Sequence, residues 1–394
     1  MKLSVNARDF PIWLMFCIFP FISIFAWLSS KGEVNYDYVW GPALPLLIGY
    51  CIFFMRKRFF RKSYIIFFLI LSFFIIIKYV VPWNSMQISL VASVMDGKWV
   101  VYLAFALLWI DTFGYPDVNK IYKYCLFFSI IYILKALYMI LSGHLTREGL
   151  LLEANYDGFM ILIVYCFRSI PSNNQKWWKD AIFILATLLT FSRTGYACLF
   201  AMLIYKALKR NILYLLIILP FAFIAIYFGY SIRGGQSANN LDRFVYWSQA
   251  LVYFKQTNWT TLFFGSAPGK SLEMPILPEF YWTVENFDEI RNLNGIFPFM
   301  FHSTYLRLAF TWGIFIAFVY LIYLIIKILK SKYRPMVYLC ILVLIQSFSL
   351  SALTLPNVSL LLFMLFLTAL HQEKCLKKTQ YYPNKNLVRY SRTL

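Results

Sequence analysis

Apolar runs of about 18–20 residues recur along this chain, each long enough to cross a hydrocarbon core of about 30 Å as a helix. Inside that core no water is available to the backbone. Every N–H and C=O must then be bonded within a helix or around a closed barrel. The runs are continuous rather than alternating, which excludes a barrel. The expected fold class is therefore all-α, a polytopic integral membrane protein with about twelve transmembrane helices in one domain spanning the whole chain. Composition agrees, since 61% of residues are hydrophobic and 14% charged. A soluble domain has roughly 45–50% and about 25%.

The formal net charge is +20. In a soluble protein that would suggest nucleic acid. Here the basic residues sit in short clusters between apolar runs, as in Arg56-Lys57-Arg58 and Lys330-Ser331-Lys332. Such clusters mark cytoplasmic loops facing anionic lipid. No nucleic-acid partner is expected. Membrane lipids are. The cysteines, Cys17, Cys51, Cys125, Cys166, Cys198, Cys340 and Cys375, form no CxxC pair and read as small packing residues. No second His or Cys stands at metal-ligand spacing from His302, so no metal is expected.

Lys2 and Arg8 before the first apolar run place the amino terminus inside. That run has no small-residue cleavage site and reads as a retained span. Spans follow at about 10–28, 38–55, 63–81, 99–113, 124–141 and 156–167, with Pro82-Trp83-Asn84 after the third read as an outer interfacial segment. The next run, 180–205, carries Ser192-Arg193 in its middle. Read as one span, it would invert every later charge cluster. Read as two half-spans meeting at Ser192–Gly195, it keeps all of them inside. Spans at about 211–230, 302–329, 335–352 and 357–370 complete the set, with both termini cytoplasmic. Between the first two of these lies one large polar loop, 231–301, whose near balance of acids and bases places it outside, on the periplasmic face.

Arg193 is the sharpest chemical signal. A charge inside a span costs about 2.5–3.5 kcal/mol even on a lenient scale, so it is seldom kept for packing alone. Guanidinium matches phosphate oxygens, and helix amides starting at Thr194-Gly195 would add positive potential. Arg233 and Arg243 flank Gly234-Gly235, close to the membrane. Phe244, Trp247, Leu251 and Phe254 then fall at helical spacing, which predicts an amphipathic surface helix capped by Asp242. His302, where the loop re-enters the membrane, suits proton abstraction from a sugar hydroxyl near neutral pH.

Three stretches carry a resemblance. The first is Leu189-Thr190-Phe191-Ser192-Arg193-Thr194-Gly195. The second is the loop with Asp242-Arg243-Phe244 and Leu262-Phe263-Phe264-Gly265-Ser266-Ala267-Pro268-Gly269. The third is His302-Ser303-Thr304-Tyr305-Leu306, followed by Gly313. Over roughly the second half of the chain they resemble the bacterial O-antigen polymerase (Wzy-type) and O-antigen ligase (WaaL-type) superfamily. The resemblance implies an inner-membrane glycosyltransferase, active on its periplasmic face without metal or cofactor. Its substrate would be an undecaprenyl-diphosphate-linked oligosaccharide, with a chain-length regulator protein as an expected partner. It implies Arg193, Arg233 and Arg243 at the diphosphate and His302 as the catalytic base. Asp242, Arg147, Arg291 and Tyr305 are the candidate acceptor or sugar contacts. Ligases often carry His-x-His-Asn where this chain has Phe301-His302-Ser303-Thr304, which favours the polymerase. A lipid-linked oligosaccharide flippase is the alternative from another class, but it would need charges along a central cavity and only short loops.

Overall fold

A computed structural model describes residues 6–29, 36–54, 88–143, 149–151, 153–170, 176–231, 242–276, 295–351, 353 and 355–381. The expected span at 63–81 and three of the candidate arginines, Arg147, Arg233 and Arg291, lie outside these residues. Helices dominate: α1 (Ala7–Leu28), α2 (Tyr36–Phe54), α3 (Leu90–Phe113), α4 (Val118–Leu141) and α5 (Ala154–Tyr165). There follow α6 (Trp177–Leu188), α7 (Arg193–Arg210), α8 (Leu215–Ser231), α9 (Asp242–Gln256) and α10 (Trp259–Phe264). The last four are α11 (Thr304–Trp312), α12 (Ile314–Lys330), α13 (Arg334–Ser349) and α14 (Pro356–Tyr381). The described residues contain no strand, only an isolated antiparallel bridge between Leu272 and Ile296. Among the described residues four stretches are long and apolar enough to cross a membrane: α1, α3, α4 and Pro356–Lys377 of α14.

The bundle is organised around α5. Every residue of this helix is buried, and α4, α6, α7, α13 and α14 all pack on it. A helix apolar all round belongs in the middle of a membrane bundle. Its polar first turn is satisfied locally, because the Asp157 carboxylate accepts from the backbone N–H groups of Leu150 and Leu151.

The expected break between α6 and α7 is present. Phe191 adopts φ +49°, a left-handed conformation that ends α6. Ser192 then caps α7 by accepting from the Gly195 N–H at 3.0 Å. Arg193 is thus the first residue of the second helix.

Two expectations need correction. The fourth span was expected to begin at about 99, but α3 begins at Leu90 and carries Asp96 and Lys98 within it. The expected single span at 302–329 is two helices, α11 and α12, divided at Gly313. The expected apolar stripe of α9 is divided: Phe244 and Leu251 are exposed, while Trp247 and Phe254 pack with the buried Tyr246 and Ala250 against the cluster of Ile296, Phe297, Phe301 and Phe310.

The Leu262–Gly269 stretch explains the division at Gly313. Gly313 has φ +90°, and a Cβ there would land on the carbonyl of Phe263. Ser266 fastens the same stretch to α11, donating both N–H and Oγ–H to the Phe310 carbonyl. At its other end Gly269 lies against Ser89 and Ser93, with its carbonyl accepting from the Ser89 N–H at 3.0 Å. One of the resembling motifs is therefore a strap that ties α11–α12 to the start of α3.

Candidate functional site

The strap end of the bundle and the opposite end differ in charge. At the opposite end Arg8 pairs with Asp117, Arg168 with Asp180 and Lys327 with Glu373. The same end carries Lys120, Lys206, Lys209, Arg210, Lys330 and Arg334, at the starts of α4 and α13 and the ends of α7 and α12. Bases there outnumber acids.

At the strap end the last turn of α13 is the meeting point. The final carbonyls of a helix have no partner of their own and must find one elsewhere. Here neighbouring elements supply it. Ser303 Oγ donates to the Ser347 carbonyl and Thr304 Oγ1 to the Leu350 carbonyl, each at 2.9 Å. Trp247 Nε1 donates to the Phe348 carbonyl at 3.1 Å. From α7, Thr194 Oγ1 shares a 2.6 Å hydrogen bond with Ser349 Oγ.

These contacts bring the two leading candidates together. Arg193 precedes Thr194, which bonds Ser349. His302 precedes Ser303, which bonds Ser347 two residues earlier on the same helix end. Both side chains are partly exposed, and Arg193 Nε is shut off from solvent. The His302 ring lies 6.0 Å from that of Tyr246 on α9. Asp242 and Arg243 form the first turn of α9, so the backbone carries them to the same end of the bundle. Tyr305 is turned the other way. It is buried, its hydroxyl donates to the Leu344 carbonyl at 3.2 Å, and its ring packs on Phe348.

A second charged group at this end was not anticipated. Arg307, one turn along α11 from Ser303, is buried at 8% exposure. Its guanidinium donates to Ser351 Oγ at 2.5 Å, to the Met95 carbonyl at 2.9 Å and to Asp96 Oδ1 at 3.4 Å. The argument that singled out Arg193, a charge inside an apolar segment, applies equally to Asp96 and Arg307. Asp96 stands just before the expected start of a span at 99, and Arg307 close to the start of the one expected at 302–329. Arg307→Ala would leave the Asp96 carboxylate buried without its counter-charge, at a cost of about 3–5 kcal/mol. The expected result is a clear drop in the thermal midpoint of the detergent-solubilised protein. A double replacement of Asp96 and Arg307 by leucine should cost much less.

Among the described residues no group of three His, Cys, Asp or Glu side chains is placed to hold a metal ion. What this end offers is a guanidinium at a helix start, an imidazole, and a buried acid–guanidinium pair. Compared with protein-family models, curated proteins and solved structures, the chain matches none.

Proposed function

We propose that this chain is an integral-membrane glycosyltransferase of the O-antigen polymerase kind. It would join one undecaprenyl-diphosphate-linked glycan to the terminal sugar hydroxyl of another. The observation that carries this reading is the convergence of Arg193 and His302 on the last turn of α13. The charge asymmetry of the bundle supports its orientation. The basic end belongs in the cytoplasm by the positive-inside rule, and the Arg193 end then faces the periplasm of an inner-membrane protein with about twelve spans.

The chemistry follows from the groups present. His302 accepts the proton of the acceptor hydroxyl as its oxygen bonds to the anomeric carbon of the donor. The bond from that carbon to the diphosphate oxygen breaks, and the electron pair leaves with the diphosphate. Arg193 faces the growing negative charge, reinforced by the first-turn amides of α7. Its charge is permanent, so it needs no proton of its own to act. Arg233 and Arg243 would complete the diphosphate site from the loop. Attack from the face opposite the leaving group inverts the anomeric centre.

The test is to disrupt the gene and run the surface polysaccharide on a gel. A polymerase leaves a single repeat on the lipid A–core. Bare core with accumulated lipid-linked polymer would instead indicate a ligase. An unaltered ladder would remove both readings.

A further inference from the structure

The end of the bundle opposite the strap holds charges for which the transfer reaction has no use. Three segments meet there: the turn after α5 (Cys166–Ser169), the end of α7 and the start of α13. Tyr205 and Tyr338 join the last two edge to face, with ring centres 5.8 Å apart. Arg168, Lys206, Arg210 and Arg334 stand around this pair. Lys206 and Arg210 are one turn apart on α7, and Arg334 lies one turn before Tyr338 on α13, so each couple shares a helix face. Arg168 and Arg334 are both within charge range of the Tyr338 hydroxyl.

Little in the protein neutralises these cations. Arg168 donates to the Tyr165 hydroxyl at 3.0 Å and pairs with Asp180. Among the described residues the other three have no carboxylate partner. Asp180 is also the only acid that the sequence holds within 166–180, 205–214 and 327–338. Lys206 is half-buried, and the charges acting on it, from Arg168 and Arg210, are both positive. Burial, and then those two charges, pull the Lys206 ammonium down to about 8. An anion at the same place would offset both effects.

The surroundings narrow the anion. The short turn that follows Arg210, Ile212–Tyr214, exposes all three of its apolar side chains. Trp177 and Trp178 are exposed at the same end, with the Lys179 ammonium over the Trp178 ring. Aromatic rings and lysines side by side mark the headgroup level of a bilayer. A ligand that uses both the cations and the apolar turn carries a phosphate and acyl chains together. A free phosphate uses only the first.

We propose that this end carries a site for one anionic phospholipid of the inner leaflet, its phosphate held by Lys206 and Arg210 beside Arg168 and its acyl chains against Ile212–Tyr214. Diffuse attraction to an anionic membrane needs only exposed lysines. A half-buried lysine among guanidinium groups calls for an anion at one defined place. The site is independent of the transfer reaction.

The experiment is native mass spectrometry on the full chain in detergent, stripped of lipid and titrated separately with phosphatidylglycerol, phosphatidylcholine and glycerol phosphate. One phosphatidylglycerol should bind roughly 25-fold more tightly than phosphatidylcholine, from two basic residues at about fivefold each. Lys206→Gln leaves the Arg168–Asp180 pair in place and should remove about fivefold of that preference. Arg210→Gln should do the same, and because Arg210 is exposed it covers the case of a Lys206→Gln protein that does not fold. Equal binding of the two lipids to wild type would overturn the inference. So would a preference kept in full by a folded variant, which would mean diffuse attraction by the whole basic end. Glycerol phosphate bound as tightly as phosphatidylglycerol would make the site one for a free anion and overturn the lipid.

Discussion

Arg193→Ala should reach the membrane in normal amount and yet abolish long polysaccharide chains. Removing one preorganised charge donor from a transition state costs about 10²–10³ in rate. A processive ladder compounds that loss at every added repeat, so the gel should show only the shortest products. The Thr194–Ser349 bond and the Ser192 cap do not involve the guanidinium, so the α6–α7 turn should survive the replacement. Arg193→Lys tests the role further. It retains the charge but loses the fork, and should recover only part of the chain length. His302→Ala is expected to give the same short products, since Ser303 and Thr304 keep their own bonds to the end of α13. Full-length ladders from Arg193→Ala or His302→Ala, at wild-type protein levels, would dismiss that residue from the site.

The second large effect is on folding. Gly313→Val should leave almost no folded protein in the membrane. The new Cβ would occupy the position of the Phe263 carbonyl, and the backbone at φ +90° is one that a β-branched residue does not tolerate. Neither the strap nor the α11–α12 corner can yield without releasing the other. Gly114 supplies the comparison, because its φ is +89° but nothing lies within 4 Å of an added Cβ. Gly114→Ala should therefore cost only the conformational strain, about 1–2 kcal/mol. Detergent-extracted yield and thermal midpoint separate the two cases. Similar losses at both positions would mean that backbone conformation, rather than the close approach of the strap, decides the outcome.

Helical character and the α6–α7 break were legible because each rests on a local signal. Continuous apolar runs admit one backbone solution in lipid, and a charge inside such a run forces an interruption. The division at Gly313 had no such signal. Both flanks are apolar, and the reason for the corner is the backbone of Phe263, some fifty residues earlier in the chain. The start of α3 was misplaced for a related cause. The charges of Asp96 and Lys98 put the expected start of the span after them, at 99, but Arg307 reaches Asp96, and a charge met by a partner can remain within a helix. On α9 the stripe of Phe244, Trp247, Leu251 and Phe254 is divided, with Trp247 and Phe254 packed on Phe348 and Phe310 and the other two exposed. In a membrane protein an apolar stripe has lipid as an alternative neighbour, so periodicity alone does not say which side meets protein. Arg193 was found and Arg307 missed for one reason. The first stands in the middle of an apolar run and the second near the edge of one.

At about 1.5 Å per residue the 12 residues of α6 rise roughly 18 Å, well short of a hydrocarbon layer of about 30 Å. In the orientation proposed above, with Trp177 and Lys179 at the cytoplasmic interface, Arg193 would lie about 10 Å beneath the opposite headgroup plane. A lipid-anchored ligand that reaches this arginine must sink by that depth, drawing its polar head into a funnel in the leaflet while its sugars stay above. The shortness of one helix thus sets the height at which a lipid carrier would have to be cut loose from its glycan.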